Sequence, residues 1–75
     1  MAINANHPPF GYRVVSDIPD DPNHVWKIMD FKAYEINRTL EECARLAQNC
    51  ASEVRDSAKK RGENPLLVRV VTILS

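Results

Sequence analysis

The sequence predicts an α+β fold: a small sheet of about three strands with one long helix packed on one face, in the order β-β-α-β. Three observations point to it. Residues 39–61 carry helical start and stop signals around an alanine- and cysteine-rich stripe, two β-prone stretches precede them across a turn-forming segment, and a nearly unbroken apolar run follows them. A chain of 75 residues makes one domain at most, read here as 1–75 with an N-terminal arm, and its core is thin for its surface.

The arm, residues 1–11, holds two adjacent prolines and ends at Gly11 without apolar periodicity, so it reads as extended. Tyr12-Arg13-Val14-Val15 follows as a short strand. Ile18-Pro19-Asp20-Asp21-Pro22-Asn23 is dense in turn formers, because proline presets φ and Asp or Asn bonds back to the local backbone. A loop of roughly eight residues is expected there, joining the first strand to Val25-Trp26-Lys27-Ile28-Met29 as a long hairpin.

Residues 31–38 fit either a helix capped by Asp30 or a strand through Tyr34 and Ile36. The clearer start is Thr39-Leu40-Glu41-Glu42, in which Thr39 and Glu42 would satisfy each other's orphan amides. Lys59-Lys60-Arg61 then puts positive charge at the negative end of the helix dipole, Gly62 supplies a left-handed cap, and Asn64-Pro65 bars continuation. The helix is expected over at least 39–61, with a start near 31 left open. The final stretch, Leu66 to Leu74, is rich in β-branched residues and is the strongest strand. A right-handed crossover through the helix is permitted if the second and third strands run parallel.

Within the helix, Ile36, Leu40, Cys43, Ala47, Cys50, Val54 and Ser57 step by four and three along one face, with Ala44, Ala51 and Ala58 beside them. This stripe serves either the domain's own sheet or a seam between subunits. On the last strand, Leu66, Val68, Val70 and Leu74 are expected to face the helix and Leu67, Val71 and Ile73 to face away. One helix cannot cover both sides of a sheet, so a second copy of the chain is the favoured cover, and a homodimer is expected.

Acidic and basic residues balance at ten each, and neither half of the chain departs from balance by more than one charge. Binding to nucleic acid through phosphate neutralisation needs a surplus of Lys and Arg, so that class is disfavoured. The N-terminus lacks the basic and apolar regions of a signal peptide, and no apolar run approaches the roughly 20 residues of a membrane span. A cytoplasmic protein is the expectation. Cys43 and Cys50, seven apart on one helix, stand about 10.5 Å apart along its axis and are too distant to bond to each other. They read as reduced core thiols. His7 and His24 lack the short spacings of zinc ligands, and the Asp17, Asp20, Asp21 cluster lacks the glycine and distant glutamate of a calcium loop. Neither metal nor cofactor is expected.

Function is carried mostly by exclusion. No phosphate-binding glycine loop or nucleophile motif occurs, so an enzyme is not expected; His24, Asp30 and Glu35 are the only plausible acid–base groups. One basic residue lies in each strand, Arg13, Lys27 and Arg69, and a shared register would make them a row on one sheet face. Lys59, Lys60 and Arg61, with Arg55 nearby, form a second basic cluster, and Trp26 offers an aromatic face. The expected function is a non-enzymatic protein-binding or regulatory module, acting through its exposed sheet face or its Pro/Asp-rich loop. The alternative is a nucleic-acid or nucleotide-binding module using either basic group.

Overall fold

The computed structural model describes residues 10–33 and 38–74. Its order is β1 (Gly11–Ile18), β2 (Asp21–Lys32), α1 (Leu40–Lys60), a 3-10 turn (Pro65–Leu67) and β3 (Val68–Ile73). The strands form one antiparallel sheet in the order β2-β1-β3, an α+β fold with β-β-α-β connectivity. Both outer strands are antiparallel to β1, so β2 and β3 run parallel to each other with β1 between them, and α1 makes the crossover.

β1 earns the centre by its residues. Val14 and Val15 are fully buried on opposite faces, the two-sided burial that belongs to an inner strand. Gly11 sits where β2 comes closest: a Cβ there would strike the Phe31 carbonyl oxygen and lie 2.9 Å from the Lys32 Cα. Phe10 extends the sheet beyond Gly11, donating its amide to Ile73 O and accepting from the Ala33 amide, each at 3.0 Å. Of the expected arm, Gly11 is therefore strand and Phe10 is hydrogen-bonded to the strands on either side, and residues 1–9 lie outside the described part.

The β1–β2 connection is shorter than the turn formers suggest. Ile18 pairs with Asp21, leaving a two-residue turn at Pro19-Asp20 in place of the expected long loop. The surplus turn formers Pro22, Asn23 and His24 are absorbed as an irregularity between the Ile18–Asp21 and Asp17–Val25 pairs. Proline is tolerated there because β2 is an edge strand and its missing N–H removes no ladder bond. A second irregularity places Met29 opposite Val14 and Lys27 opposite Val15, so Ile28 is an extra residue, a β-bulge.

The helix starts where its capping box lies. The Glu42 amide donates to Thr39 Oγ1 at 3.1 Å, and the Thr39 amide donates to Glu42 Oε1 at 3.4 Å. Phe31 and Lys32 belong to β2, so the helix does not begin near 31. Residues 34–37, with Ile36 of the stripe and Glu35, lie outside the described part. At the other end Gly62 takes φ 78°, its amide donates to Lys59 O at 3.0 Å and that of Glu63 to Ala58 O at 2.8 Å, the Schellman pattern.

The buried line on α1 is Cys43, Ala47, Ala51 and Ala58. Cys50 and Val54 flank it half-buried and Ser57 is exposed, because an α-helix drifts about 20° per heptad from a strict four-three seam. Ala47 and Ala51 pack with Val14 and Val68, joined at the margin by Tyr12, Phe31, Cys50, Val54 and Val70. The small side chains let α1 lie close to the sheet.

Val68 and Val70 face the helix as expected. Leu66 and Leu74 do not: they are 83% and 63% exposed. Pro65-Leu66-Leu67 is wound into the 3-10 turn, with the Asn64 side chain accepting from the Leu66 amide at 3.0 Å, and Leu74 lies beyond the last sheet pair. The winding also brings Leu67 to the helix side of the sheet, contrary to the strand alternation. On the other face Ile73 and Val15 are buried. The Arg13–Asp30 and Arg69–Asp17 ion pairs lie on that face, where arginine stems shield apolar surface while their heads pair. The expected uncovered apolar face is thus partly closed by the chain itself, and the exposed apolar residues gather instead on β2: Val25, Trp26, Ile28 and Met29.

Candidate functional site

The helix packs on β1 and β3 through Val14, Val68 and Val70, and its C-terminal half is tied down at β3. There the Arg55 guanidinium donates to the Val68 carbonyl through Nε at 3.2 Å and Nη2 at 2.9 Å. The hairpin end of β2 is left beside the helix rather than beneath it. The result is an open cleft of about 440 Å³, within the roughly 300–1,000 Å³ of small-ligand and side-chain sites.

Three pieces of chain build it. The hairpin contributes Ile18, Pro19, Trp26 and Ile28, the helix contributes Val54 and Ala58, and the 3-10 turn contributes Leu67. The wall is mostly apolar; its polar lining residues are Ser16, Asp17, Asn64, Arg61 and Glu63, of which Arg61 donates through Nη2 to Glu63 Oε1 at 3.0 Å. That hydrogen bond holds the Glu63 carboxyl below its ordinary pKa. Trp26 is 68% exposed; its ring lines the cleft while most of its surface meets solvent. The cleft can enclose an apolar side chain and orient it by the rim charges.

The register does bring Arg13, Lys27 and Arg69 to one face, the face opposite the helix: Lys27 and Arg69 both stand across from Val15, and Arg13 is two residues along β1. Two of the three are occupied. Arg13 donates to Asp30 through Nε at 2.6 Å and Nη2 at 3.0 Å, a fork that lowers the Asp30 pKa and raises that of Arg13. Arg69 donates to both Asp17 carboxylate oxygens at 3.1 Å, and this bonding raises its pKa. Lys27 is exposed and has no hydrogen bond or ion pair among the described residues.

Lys59 and Lys60 are exposed in the last helical turn, but Arg61 is held by Glu63 and Arg55 by Val68, so the second cluster presents two open cations. The acid–base candidates are not assembled either. His24 Nδ1 lies 2.8 Å from Asp21 Oδ2 at the surface, while Asp30 is bound by Arg13 six residues along the strand, roughly 20 Å away at about 3.3 Å per residue. Cys43 and Cys50 are free thiols, and burial, with Glu53 adding to it, pushes the Cys50 pKa up. Among the described residues no group of three or more His, Cys, Asp or Glu stands together, and no helix is long and apolar enough to cross a membrane.

Trp26, Arg61 and Val54 of the helix stripe are the candidates from the sequence that fall in the cleft, with Ile18 and Pro19 of the Pro/Asp-rich segment at its lip. Ile28, Ala58 and Leu67 carry no signal as single site residues; what points to them is an excess of apolar residues. Val25, Trp26, Ile28 and Met29 cannot all face the core from one edge strand.

Fold and cleft together define a small α+β protein with an apolar surface groove and, among the described residues, an outer strand paired on one side only. No protein-family model matches the chain, and no curated protein or solved structure shows significant similarity to it.

Proposed function

We propose that the protein is a non-enzymatic interaction module that holds a segment of another protein by an apolar side chain seated in the cleft between Trp26, Ile28, Val54 and Ala58. The observation that carries this reading is the exposed Trp26 indole on the wall of a well-formed apolar groove. A large aromatic exposed beside a concave apolar surface is the residue type that dominates binding energy at protein interfaces. The polar rim supplies orientation rather than chemistry: Arg61 and Glu63 already satisfy each other. The Pro/Asp-rich turn forms one lip of the groove through Ile18 and Pro19, which gives that segment its part in recognition.

Selection from a displayed peptide library tests this. Enriched peptides should share one aromatic or large aliphatic anchor, and their affinity should fall about tenfold or more for Trp26→Ala, a loss of the order of 1.4 kcal/mol or greater. Ala58→Met, which fills the groove from its floor, should weaken the same peptides. A selection whose products bind wild type and both variants equally refutes the cleft as the binding surface.

A further inference from the structure

The edge of the sheet carries a second surface, which shares Trp26 and Ile28 with the cleft wall. β2 is twelve residues long against six for β3, it ends the sheet, and Pro22 through Met29 are exposed without interruption. No strand pairs with its outer edge among the described residues. A long outer strand bearing exposed apolar residues is a template for strand addition. The occupant is indicated by the strand's own residue pattern.

We propose that β2 pairs antiparallel with β2 of a second copy of this chain about a two-fold axis at the Ile28 bulge, joining two sheets into one of six strands. A two-fold between antiparallel strands runs perpendicular to the sheet, so each residue must meet one from the same face. In a regular strand that rule sets some residue opposite itself. Centring on Lys27 or on Asp30 would oppose like charges, and centring elsewhere on one side of the bulge keeps the faces matched over a shorter stretch.

The bulge changes the parity. Met29 lies across from Val14 on the helix face and Lys27 across from Val15 on the other, with Ile28 extra between them. Outward from Ile28 and Met29, Lys27 and Asp30 share the helix-free face. Next, Trp26 and Phe31 share the helix face, and then Val25 and Lys32 share the helix-free face again. A two-fold at this point therefore sets Lys27 against Asp30 of the second copy, Trp26 against its Phe31 and Val25 against its Lys32, each contact made twice. Opposite charges and aromatic pairs directly across an antiparallel ladder are the favourable cross-strand combinations. Lys27, a charge of the kind that guards a lone edge, is matched here instead of left facing solvent.

Sedimentation of the full-length chain over a range of concentrations tests this. Wild type should approach twice 8.5 kDa. Lys27→Glu, a change at an exposed side chain, should raise the dimer dissociation constant roughly tenfold or more, because two like-charge contacts replace two attractive ones. An equimolar mixture of Lys27→Glu and Asp30→Lys chains should restore the dimer as a heterodimer. Asp30→Lys also removes the bond from Arg13, so amide hydrogen exchange of the wild type gives a reading that needs no variant: Val25 to Lys32 should gain protection as concentration rises. A wild-type chain that stays monomeric up to its solubility limit overturns the proposal. So does a dimer indifferent to Lys27→Glu, or one that leaves the β2 amides exchanging at an unchanged rate. Mass and exchange report on the edge, and peptide affinity reports on the cleft, so either reading can fail alone.

Discussion

Replacing Val14 by alanine removes two methyl groups from the point where helix and sheet meet. Val14 is fully buried in the cluster with Ala47, Ala51 and Val68, and at about 0.8 kcal/mol per buried methylene the transfer loss is about 1.6 kcal/mol. A residual cavity of up to roughly 50 Å³ adds as much as about 1 kcal/mol at ~24 cal/mol per Å³. The expected cost of 2 to 3 kcal/mol, taken as an order of magnitude, is a large share of the roughly 3–5 kcal/mol that a core of this size supplies. Urea unfolding followed by helical circular dichroism is the suitable assay; Trp26 is already exposed in the native state and is a poor reporter of its loss. Two controls sharpen the result. Leu66→Ala, at an exposed position, should stay within about 0.5 kcal/mol of wild type. Ala51→Val alone should overfill the site, yet combined with Val14→Ala it should cost less than the sum of the two by at least about 0.5 kcal/mol, the signature of residues sharing one space. A Val14→Ala cost no greater than that of Leu66→Ala, or strict additivity in the double variant, would refute the packing of α1 on β1 described above.

Two further outcomes test local features. Gly62→Ala should lower the unfolding free energy by about 1 kcal/mol, because its left-handed φ burdens any Cβ even where no neighbour crowds it; an unchanged midpoint would mean the helix does not end in that cap. The Asp30 carboxyl, lowered chiefly by the Arg13 hydrogen bond, stabilises the fold fully above its unfolded-state pKa of about 3.9. Its contribution disappears as pH falls through the lower folded value. Thermal scans should therefore find Asp30→Asn less stable than wild type at neutral pH, with the two curves converging below about pH 4. Parallel curves down to pH 2 would remove the pair from the account.

What could be read from the residues was what local chemistry decides. Thr39 and Glu42 announce the helix start and Gly62 its end because each signal is a bond or a dihedral made within a few residues. The strand and helix order follows from patterning in the same way. The misses share one cause: the decisive bond was one that strand and helix patterning does not encode. Pro22, Asn23 and His24 look like loop until β1 is present to pair with Asp21 and Val25. Leu66 looks like strand until Asn64 caps the turn that winds it outward. The Arg13, Lys27 and Arg69 row was legible as a possibility, but whether it was open depended on Asp17 and Asp30, which only the register brings alongside. The cleft was least legible, since its walls come from three pieces of chain far apart in sequence: the hairpin, the C-terminal half of the helix and the 3-10 turn.

The β2-β1-β3 order also bears on how the chain is made. β1 leaves the ribosome early and can zip with β2 as soon as the two-residue turn at Pro19-Asp20 closes. Its other neighbour, β3, is translated only after the helix, and Val68 belongs to the same core cluster as Val14, Ala47 and Ala51. Until Val68 emerges, the nascent hairpin and helix have no third wall. Nascent chains with α1 emerged and Val68 still inside the exit tunnel should therefore display a protease-sensitive hairpin and helix, and chains tethered by a linker long enough to carry Ile73 clear of the tunnel should display a resistant domain. The burden of quality control falls on β3.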